Sequence, residues 1–418
     1  MTDEQLRLTD DVLAMAEQIV RAGPICDECL GRAYAKLGHG LSNAERGSAL
    51  RTMLTISGTE GKLGTCWVCG GAFEHIDKLA KRASAMSDGV EFESYLFGVK
   101  PSARIIQGEK LFVERYPTDT YEPLKHAFNR EIGKAFEAHV GHGTVDFERP
   151  HLSFVIDLSS DRIDLKVRSL YIYGRYQKLL RGIPQTRWPC RKCKGRGCAA
   201  CNYTGKQYPE SVEELIAAPF LAAARSDEAY LHGAGREDID ARMLGTGRPF
   251  VLELVSPHMR SLDLAFLREQ VNISAKGKVE VNDLRFTSRD TVALVKETHA
   301  EKTYRVRVSL SSPVEEGKLL AAVSSLIGQI DQRTPRRVAH RRADLVRVRR
   351  LIDARAMIIS EQEVELTLRG EGGLYIKELV SGDEGRTVPS LSGVLGVPAL
   401  VTELDVIDVS ASAFPASV

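Results

Sequence analysis

The eight cysteines constrain this chain more than any other feature. They fall in four C-x-x-C pairs, Cys26/Cys29, Cys66/Cys69, Cys190/Cys193 and Cys198/Cys201, with none left over. Each pair presents two thiolates from one tight knuckle, and two knuckles complete the tetrahedral set that Zn²⁺ takes. The later four stand in W-P-C-R-K-C-K-G-R-G-C-A-A-C-N-Y-T-G-K, a C-x2-C-x4-C-x2-C spacing with glycines at the turns, which predicts one ion. The first four are separated by a helical insert with a capping box, Ser42 and Glu45 three apart, and predict a second ion. Both ions are expected to be structural, because four thiolates leave no open position for water. Iron in a cluster takes the same ligands, so the metal's identity stays open. A thioredoxin-type redox site has one C-x-x-C at a helix start rather than paired knuckles. Arg191, Lys192, Lys194 and Arg196, between the later ligands, offer a small phosphate-binding knob.

Length and charge narrow the class. At 418 residues the chain can form two or three domains with buried cores. Its net charge of +1 gives no global attraction to a polyanion, so any such site must come from local clustering. The strongest cluster, R-T-P-R-R-V-A-H-R-R-A-D-L-V-R-V-R-R over residues 333–350, has eight arginines against one aspartate. Arginine suits bidentate phosphate contact, which points Arg333, Arg336, Arg337, Arg341 and Arg342 toward an RNA backbone; a solvated charged face is the alternative. Tyr171 to Trp188 interleaves aromatic and basic residues, and fits stacking on unpaired bases as well as a packed linker. The longest apolar run, Leu215–Ala224, is ten residues and contains Pro219, too short and too broken to cross a bilayer. The N-terminal M-T-D-E-Q-L is unlike a signal or transit peptide, so a cytoplasmic protein is expected.

Periodicity predicts a mixture of helices and strands. Val12, Ala16 and Ile19 repeat at helical spacing behind a Thr9 cap, and Tyr121 to His139 also read as helix. Glu91 to Val99 and the alternating Ile163 to Arg168 read as strands. S-V-E-E opens a helix running to about Ala224. Tyr304 to Leu310 alternates with Tyr304 on the apolar face, Leu319, Val323, Leu326 and Ile330 form a helical stripe, and Val364, Leu366 and Leu368 mark a late strand. The expected class is α+β, with an N-terminal knuckle region (1–75), an α/β accessory domain (76–188), a second knuckle (189–205) and a larger domain around a mixed sheet (206–418).

Gly235 to Pro249 draws the eye chemically. Arg236, Arg242 and Arg248 are interleaved with Glu237, Asp238 and Asp240 between glycines, just before the apolar run Phe250 to Val255. The glycines predict a tight loop entering a sheet, where catalytic side chains are often carried. A carboxylate held among arginines suits a nucleophile, and equally a structural salt-bridge cluster.

G-R-E-D-I-D-A-R-M-L-G-T-G-R-P-F resembles the active-site motif of pseudouridine synthases, and more narrowly of the archaeal and eukaryotic "Pus ten" family, which acts on the tRNA T-loop. G-R-Y-Q-K-L-L-R-G-I-P-Q-T-R-W, Q-R-T-P-R-R-V-A-H-R-R-A-D, K-T-Y and G-L-Y-I-K-E-L extend the likeness, and the Cys190–Cys201 knuckle is similar to that of its archaeal branch. The resemblance implies a pseudouridine synthase domain with a THUMP-like RNA-binding domain. It makes Asp238 the nucleophile, Arg236 the residue that displaces the target nucleotide, Tyr304 the base-stacking tyrosine and Lys377 the partner of Asp238. Leu379 would line the pocket. Tyr304 also fits a core position, and Tyr375 competes for the stacking role. The implied substrate is tRNA at T-loop uridines 54 and 55, modified by a monomer with no organic cofactor and no membrane. Whether the aspartate attacks C1′ or takes a ribose proton stays open. The rival is a non-catalytic zinc-containing RNA-binding or RNA-chaperone protein, which leaves the carboxylate–arginine loop without a task. A THUMP-type methyltransferase or thiolation enzyme needs a Gly-rich cofactor or phosphate loop, and no G-x-G-x-x-G opens a βαβ unit here.

Overall fold

The computed structural model describes residues 3–410, apart from the side chains of residues 3–9 and of Arg341. The chain forms two compact units, dividing between Arg168 and Ser169. Both mix helices with sheet, as the α+β expectation requires.

The first unit contains helices α1 (Asp3–Ala22), α2 (Asp27–Arg32), α3 (Asn43–Ile56) and α4 (Ile76–Met86), followed by strand β1 (Ser94–Lys100). Helices α5 (Ala103–Arg115) and α6 (Leu124–Val140) and strands β2 (Thr144–Val145), β3 (Leu152–Asp157) and β4 (Arg162–Val167) complete it. The sheet order is β2-β1-β3-β4, with β1 parallel to β2 and β3, and β4 antiparallel to β3. Helix α3 starts at the expected capping box: the Glu45 N–H donates to Ser42 Oγ at 3.2 Å and the Ser42 N–H to Glu45 Oε2 at 2.7 Å. The expected Thr9 cap falls inside α1 instead, and its side chain is outside the described residues. Phe97 stacks on Phe154 at 4.7 Å, and Phe136 of α6 meets both rings at 5.2 Å, closing helix onto sheet. Cys29, Cys66 and Cys69 lie in the same continuous core, so knuckle and accessory fold form one unit rather than the two regions expected.

The second unit opens with β5 (Leu170–Lys178), then α7 (Val212–Ala224), β6 (Glu228–Gly233), β7 (Arg242–Val255), α8 (Leu264–Ser274), β8 (Val279–Thr287), α9 (Arg289–Glu297) and β9 (Lys302–Leu310). It continues with α10 (Glu316–Ser325), β10 (Gly328–Arg333), β11 (Val346–Ser360), β12 (Glu363–Gly370), α11 (Ile376–Ser381), β13 (Thr387–Val388), α12 (Leu391–Leu395) and β14 (Ala399–Val409). One sheet runs β13-β10-β11-β12-β9-β14-β7-β5-β8, with β6 also paired to β7. The β14–β7 pair is parallel and its neighbours antiparallel, which makes the sheet mixed as expected.

Two expectations change here. Tyr171 to Lys178 is no linker: β5 is hydrogen-bonded between β7 and β8, so the unit begins near 169 rather than 206. Its basic residues point inward, Arg175 donating to the carbonyls of Thr246, Gly247 and Val409. Ile330 leaves the expected helical stripe because the chain turns at Gly328 (φ +131°) and joins β10.

Strand β7 changes partner along its length. Along one edge Arg242 and Met243 pair with β14 and Phe250 to Val255 pair with β6, while β5 lies along the other edge. Gly245 lies between, at φ +59°, where a Cβ would sit 1.9 Å from the Ile407 carbonyl oxygen. Gly245→Ala should therefore destabilise the protein by about 3 kcal/mol or more in urea unfolding. Gly317→Ala, in open space on α10, should be neutral or slightly stabilising.

Candidate active site

The loop between β6 and β7 is held from below by buried polar groups. Lys178, fully buried on β5, donates through Nζ to the carbonyls of Ile183, Asp238 and Ile239 at 3.0–3.1 Å. Gln185 Nε2 donates to the Gly235 carbonyl at 3.0 Å, and Arg181 Nη1 to that of Asp240 at 2.9 Å. Glu237 turns inward, 3.0 Å from the buried Arg248 Nε, and accepts from Tyr176 Oη at 2.9 and 3.0 Å. Its neighbour Asp238 is thereby aimed outward.

Asp238 sits in a cleft of about 620 Å³. Arg337 Nη1 donates to Asp238 Oδ1 at 2.9 Å, and Lys377 Nζ lies 3.5 Å from Oδ2. Lys377 makes its shorter contact, 2.6 Å, with Asp240. Burial acts to raise the Asp240 carboxyl, but its bond to the Lys377 ammonium outweighs this and holds it below the ordinary carboxylate range. Arg337 is fixed in turn by the buried Glu378, Nε to Oε1 at 2.7 Å. Tyr304 of β9 lines the cleft, only 8% exposed. Burial pushes its phenol up to about 12, so at neutral pH it offers a protonated ring face rather than a base. Tyr375 also lines the cleft and accepts from Arg342 Nη1 at 2.9 Å. Arg236 sits at the rim with its guanidinium 4.7 Å from the centre of the Trp188 ring.

The other residues singled out in the sequence lie elsewhere. Leu379 is a correction: with Val380 it is buried in the core and does not line the cleft that Lys377 and Ile376 reach. Arg333 pairs with Asp344 at 2.7 Å and Arg336 with Glu384 at 2.5 Å, and neither lines the cleft. The Arg341 side chain lies outside the described residues. Sequence reading passed over Lys296, Lys302, Arg347 and Arg349, which line the cleft. Lys302 was legible in principle, since it stands two residues before Tyr304 on one strand face. Nine basic and three acidic side chains line the cleft, a surplus of positive charge that suits a polyanionic ligand.

Each set of four cysteines places its sulfurs within 4.8 Å of one another. Tetrahedral Zn–S bonds of about 2.3 Å put sulfurs roughly 3.8 Å apart. The sulfurs of Cys26 and Cys69 are 3.7 Å apart, those of Cys193 and Cys201 3.9 Å, and those of Cys198 and Cys201 3.8 Å. Both donor sets fit zinc. At the first, the buried Arg32 brings Nη2 to 3.6 Å from Cys29 Sγ, a positive charge beside the thiolates. At the second, the N–H groups of Gly197 and Gly205 donate to Cys193 and Cys201 Sγ at 3.2 and 3.3 Å.

Comparison with known proteins extends this reading. The family profile described as "Pus10, C-terminal" matches residues 171–410, and that of the "Pus10 THUMP domain, archaeal" matches residues 79–157. The chain is 44% identical to the tRNA pseudouridine synthase Pus10 of Methanothrix thermoacetophila, over 96% of this chain and 95% of the relative. It is 47% identical to that of Halorubrum lacusprofundi, over 96% of each chain. A third relative so named, from Pyrococcus furiosus, is 38% identical over 95% of this chain and 98% of its own. The class is thus an isomerase, the tRNA pseudouridine synthases. The chain belongs to the Pus10 family.

Two outcomes follow from this geometry. Cys198→Ser with Cys201→Ser should lower zinc content from two equivalents to one after loading, measured by mass spectrometry of the metal. Lys302 offers a pH test. Burial, then the charge of Arg248, lowers its ammonium to about 8 from an ordinary 10.5. Between those values the unfolded chain binds more protons than the folded one, so stability rises with pH across that window. Lys302→Met should remove this contribution, about 1–2 kcal/mol after allowance for solvent screening, seen as a narrowing gap between the two proteins' unfolding free energies.

Proposed function

We propose that this chain isomerises uridine to pseudouridine in the T-loop of tRNA, at positions 54 and 55, with Asp238 as nucleophile. The observation that carries the reading is the Asp238 carboxylate between Arg337 and Lys377, in a basic cleft that Tyr304 also lines. Asp238 attacks C1′ of the target ribose while the N1–C1′ bond breaks, leaving a ribosyl ester and a free uracil anion. Arg337 and Lys377 aim the carboxylate before attack and receive it again after the ester breaks. The uracil turns against the Tyr304 face, shielded from water, and C5 bonds to C1′ as the ester opens. The C5 hydrogen then leaves as a proton and N1 takes one up from solvent, giving neutral pseudouridine and the free Asp238 carboxylate. Electrons and groups balance within the substrate, so the reaction needs no organic cofactor. Arg236, at the cleft rim, fills the space vacated when the target nucleotide swings out. Arg342, Arg347 and Arg349 meet the flanking phosphates. The enzyme works as a monomer in the cytoplasm on the T-arm.

Tritium release from unmodified tRNA carrying C5-tritiated uridine tests this directly, because pseudouridine formation must lose that hydrogen. Wild type should release tritium. Asp238→Asn should bind tRNA with a Kd within about twofold of wild type and turn over at least 10⁴-fold more slowly. Release by Asp238→Asn at the wild-type rate would remove Asp238 from this role. Tight binding by wild type without release would favour the RNA-binding reading.

A further inference from the structure

We infer that the second cysteine knuckle is an RNA-contact surface in its own right. Tyr203 stacks there on an unpaired base, and Arg191, Lys192, Lys194 and Arg196 engage the phosphates beside it. The inference rests on tRNA being the substrate. Between Trp188 and Gln207 the chain has no carboxylate to pair with the four cations, although the thiolates they flank carry negative charge when ligated. All four are exposed. Arg191, Lys192 and Lys194 have no ion pair among the described residues, and Arg196 donates only to the Cys193 carbonyl. This differs from Arg333 and Arg336 in the arginine run, both of which are held by carboxylates.

Tyr203 is the second observation. Its side chain is 77% exposed and packs against no other ring among the described residues, yet it occupies a left-handed backbone position, φ +60°, directly after Asn202 at φ +49°. Glycine or asparagine meets that backbone demand with less strain, so turn geometry does not call for tyrosine. Packing does not call for it either. A rigid, exposed aromatic among unpaired cations is the combination that binds single-stranded nucleic acid, through base stacking and phosphate contact. Because the loop is cross-linked by its thiolate set and by N–H···S bonds, little conformational freedom is lost when RNA docks.

Placement makes the surface useful. The knuckle's base is closed by the Pro189–Lys206 bridge and by the Gln207 N–H donating to the Trp188 carbonyl at 2.9 Å. Trp188 meets Tyr208 edge-on at 5.7 Å, lines the active cleft and carries the Arg236 guanidinium on its face. The knob therefore stands at the rim of the cleft that receives the target uridine.

The test measures tRNA binding by anisotropy from 50 to 300 mM salt, together with zinc content and single-turnover tritium release. The variants are Tyr203→Asn, Tyr203→Phe, and a fourfold exchange of Arg191, Lys192, Lys194 and Arg196 for Gln. Tyr203→Asn, which suits the backbone but cannot stack, should weaken binding about tenfold, while Tyr203→Phe should match wild type. The fourfold variant should reduce the slope of log K against log salt by about three. Zinc should stay at two equivalents, and turnover at saturating tRNA should be unchanged. Wild-type turnover with all variants binding like wild type would overturn this inference alone. Weakened binding that tracks loss of a zinc equivalent would also overturn it, making the knuckle purely structural. Failure of wild type to bind tRNA would overturn the substrate reading and this inference with it.

Discussion

The buried ion pair between Glu237 and Arg248 is the interaction on which the site depends. Both side chains are almost fully enclosed and their charged atoms are 3.0 Å apart. Removing two charges from water is costly, and a well-packed apolar pair is often more stable. Such a pair becomes useful when it fixes a backbone that apolar contacts would leave free to slide. Here Arg248 also donates to the Ala234 carbonyl at 2.6 Å, while Tyr176 and Gln185 tie the Glu237 carboxylate to the Gly235 carbonyl. Turning Glu237 inward forces Asp238 outward. Loss of either partner would leave a buried charge alone, at a cost of about 3–5 kcal/mol, and would release the loop.

The cations around Asp238 divide into two groups with different work. Arg337 and Lys377 each bind two carboxylates, Arg337 those of Asp238 and Glu378, Lys377 those of Asp238 and Asp240. Shared in this way they orient the Asp238 carboxylate without closing it off. Lys302 and Arg347 have no carboxylate partner among the described residues, so their charge remains available to an incoming polyanion. Swinging a nucleotide out of a folded RNA costs a few kcal/mol, and phosphate contacts of this second kind are where the compensating free energy arises.

Much of this was legible in the sequence. Paired C-x-x-C spacing marked both cysteine clusters, the glycine-flanked alternation of acids and arginines marked the loop, and period-two patterning placed Tyr304 on a buried strand face. What escaped has a common physical cause. β5 was misread because its tyrosines and basic residues look solvent-facing, yet Arg175 and Lys178 are buried by backbone carbonyls that only the folded sheet brings near. Leu379 was assigned to the pocket by resemblance of G-L-Y-I-K-E-L to a family motif, but two residues from Lys377 on a helix its side chain points in a different direction. Arg333 and Arg336 looked like free phosphate ligands, and their carboxylate partners Asp344 and Glu384 are 11 and 48 residues away in the chain. A one-dimensional pattern shows which charges exist. It does not show which are already satisfied.

The two cysteine sets use the same chemistry for different structural ends. In the first, Cys29, Cys66 and Cys69 are embedded among Ile25, Leu30 and Val68, so the ligands and the apolar core secure the same helices. The second has no such support. From Pro189 to Gly205 there is no aliphatic side chain larger than alanine or proline, and so no apolar core to order the loop. Its order rests on the N–H···S bonds around the four sulfurs, to which a metal held by those sulfurs would add. A loop ordered in this way has no need to bury its other side chains, and every residue between the ligands can face outward. An apolar core would have consumed the positions that Arg191, Lys192, Lys194 and Arg196 now occupy. A metal held by the four sulfurs would let so short a segment be ordered while its basic side chains stay exposed.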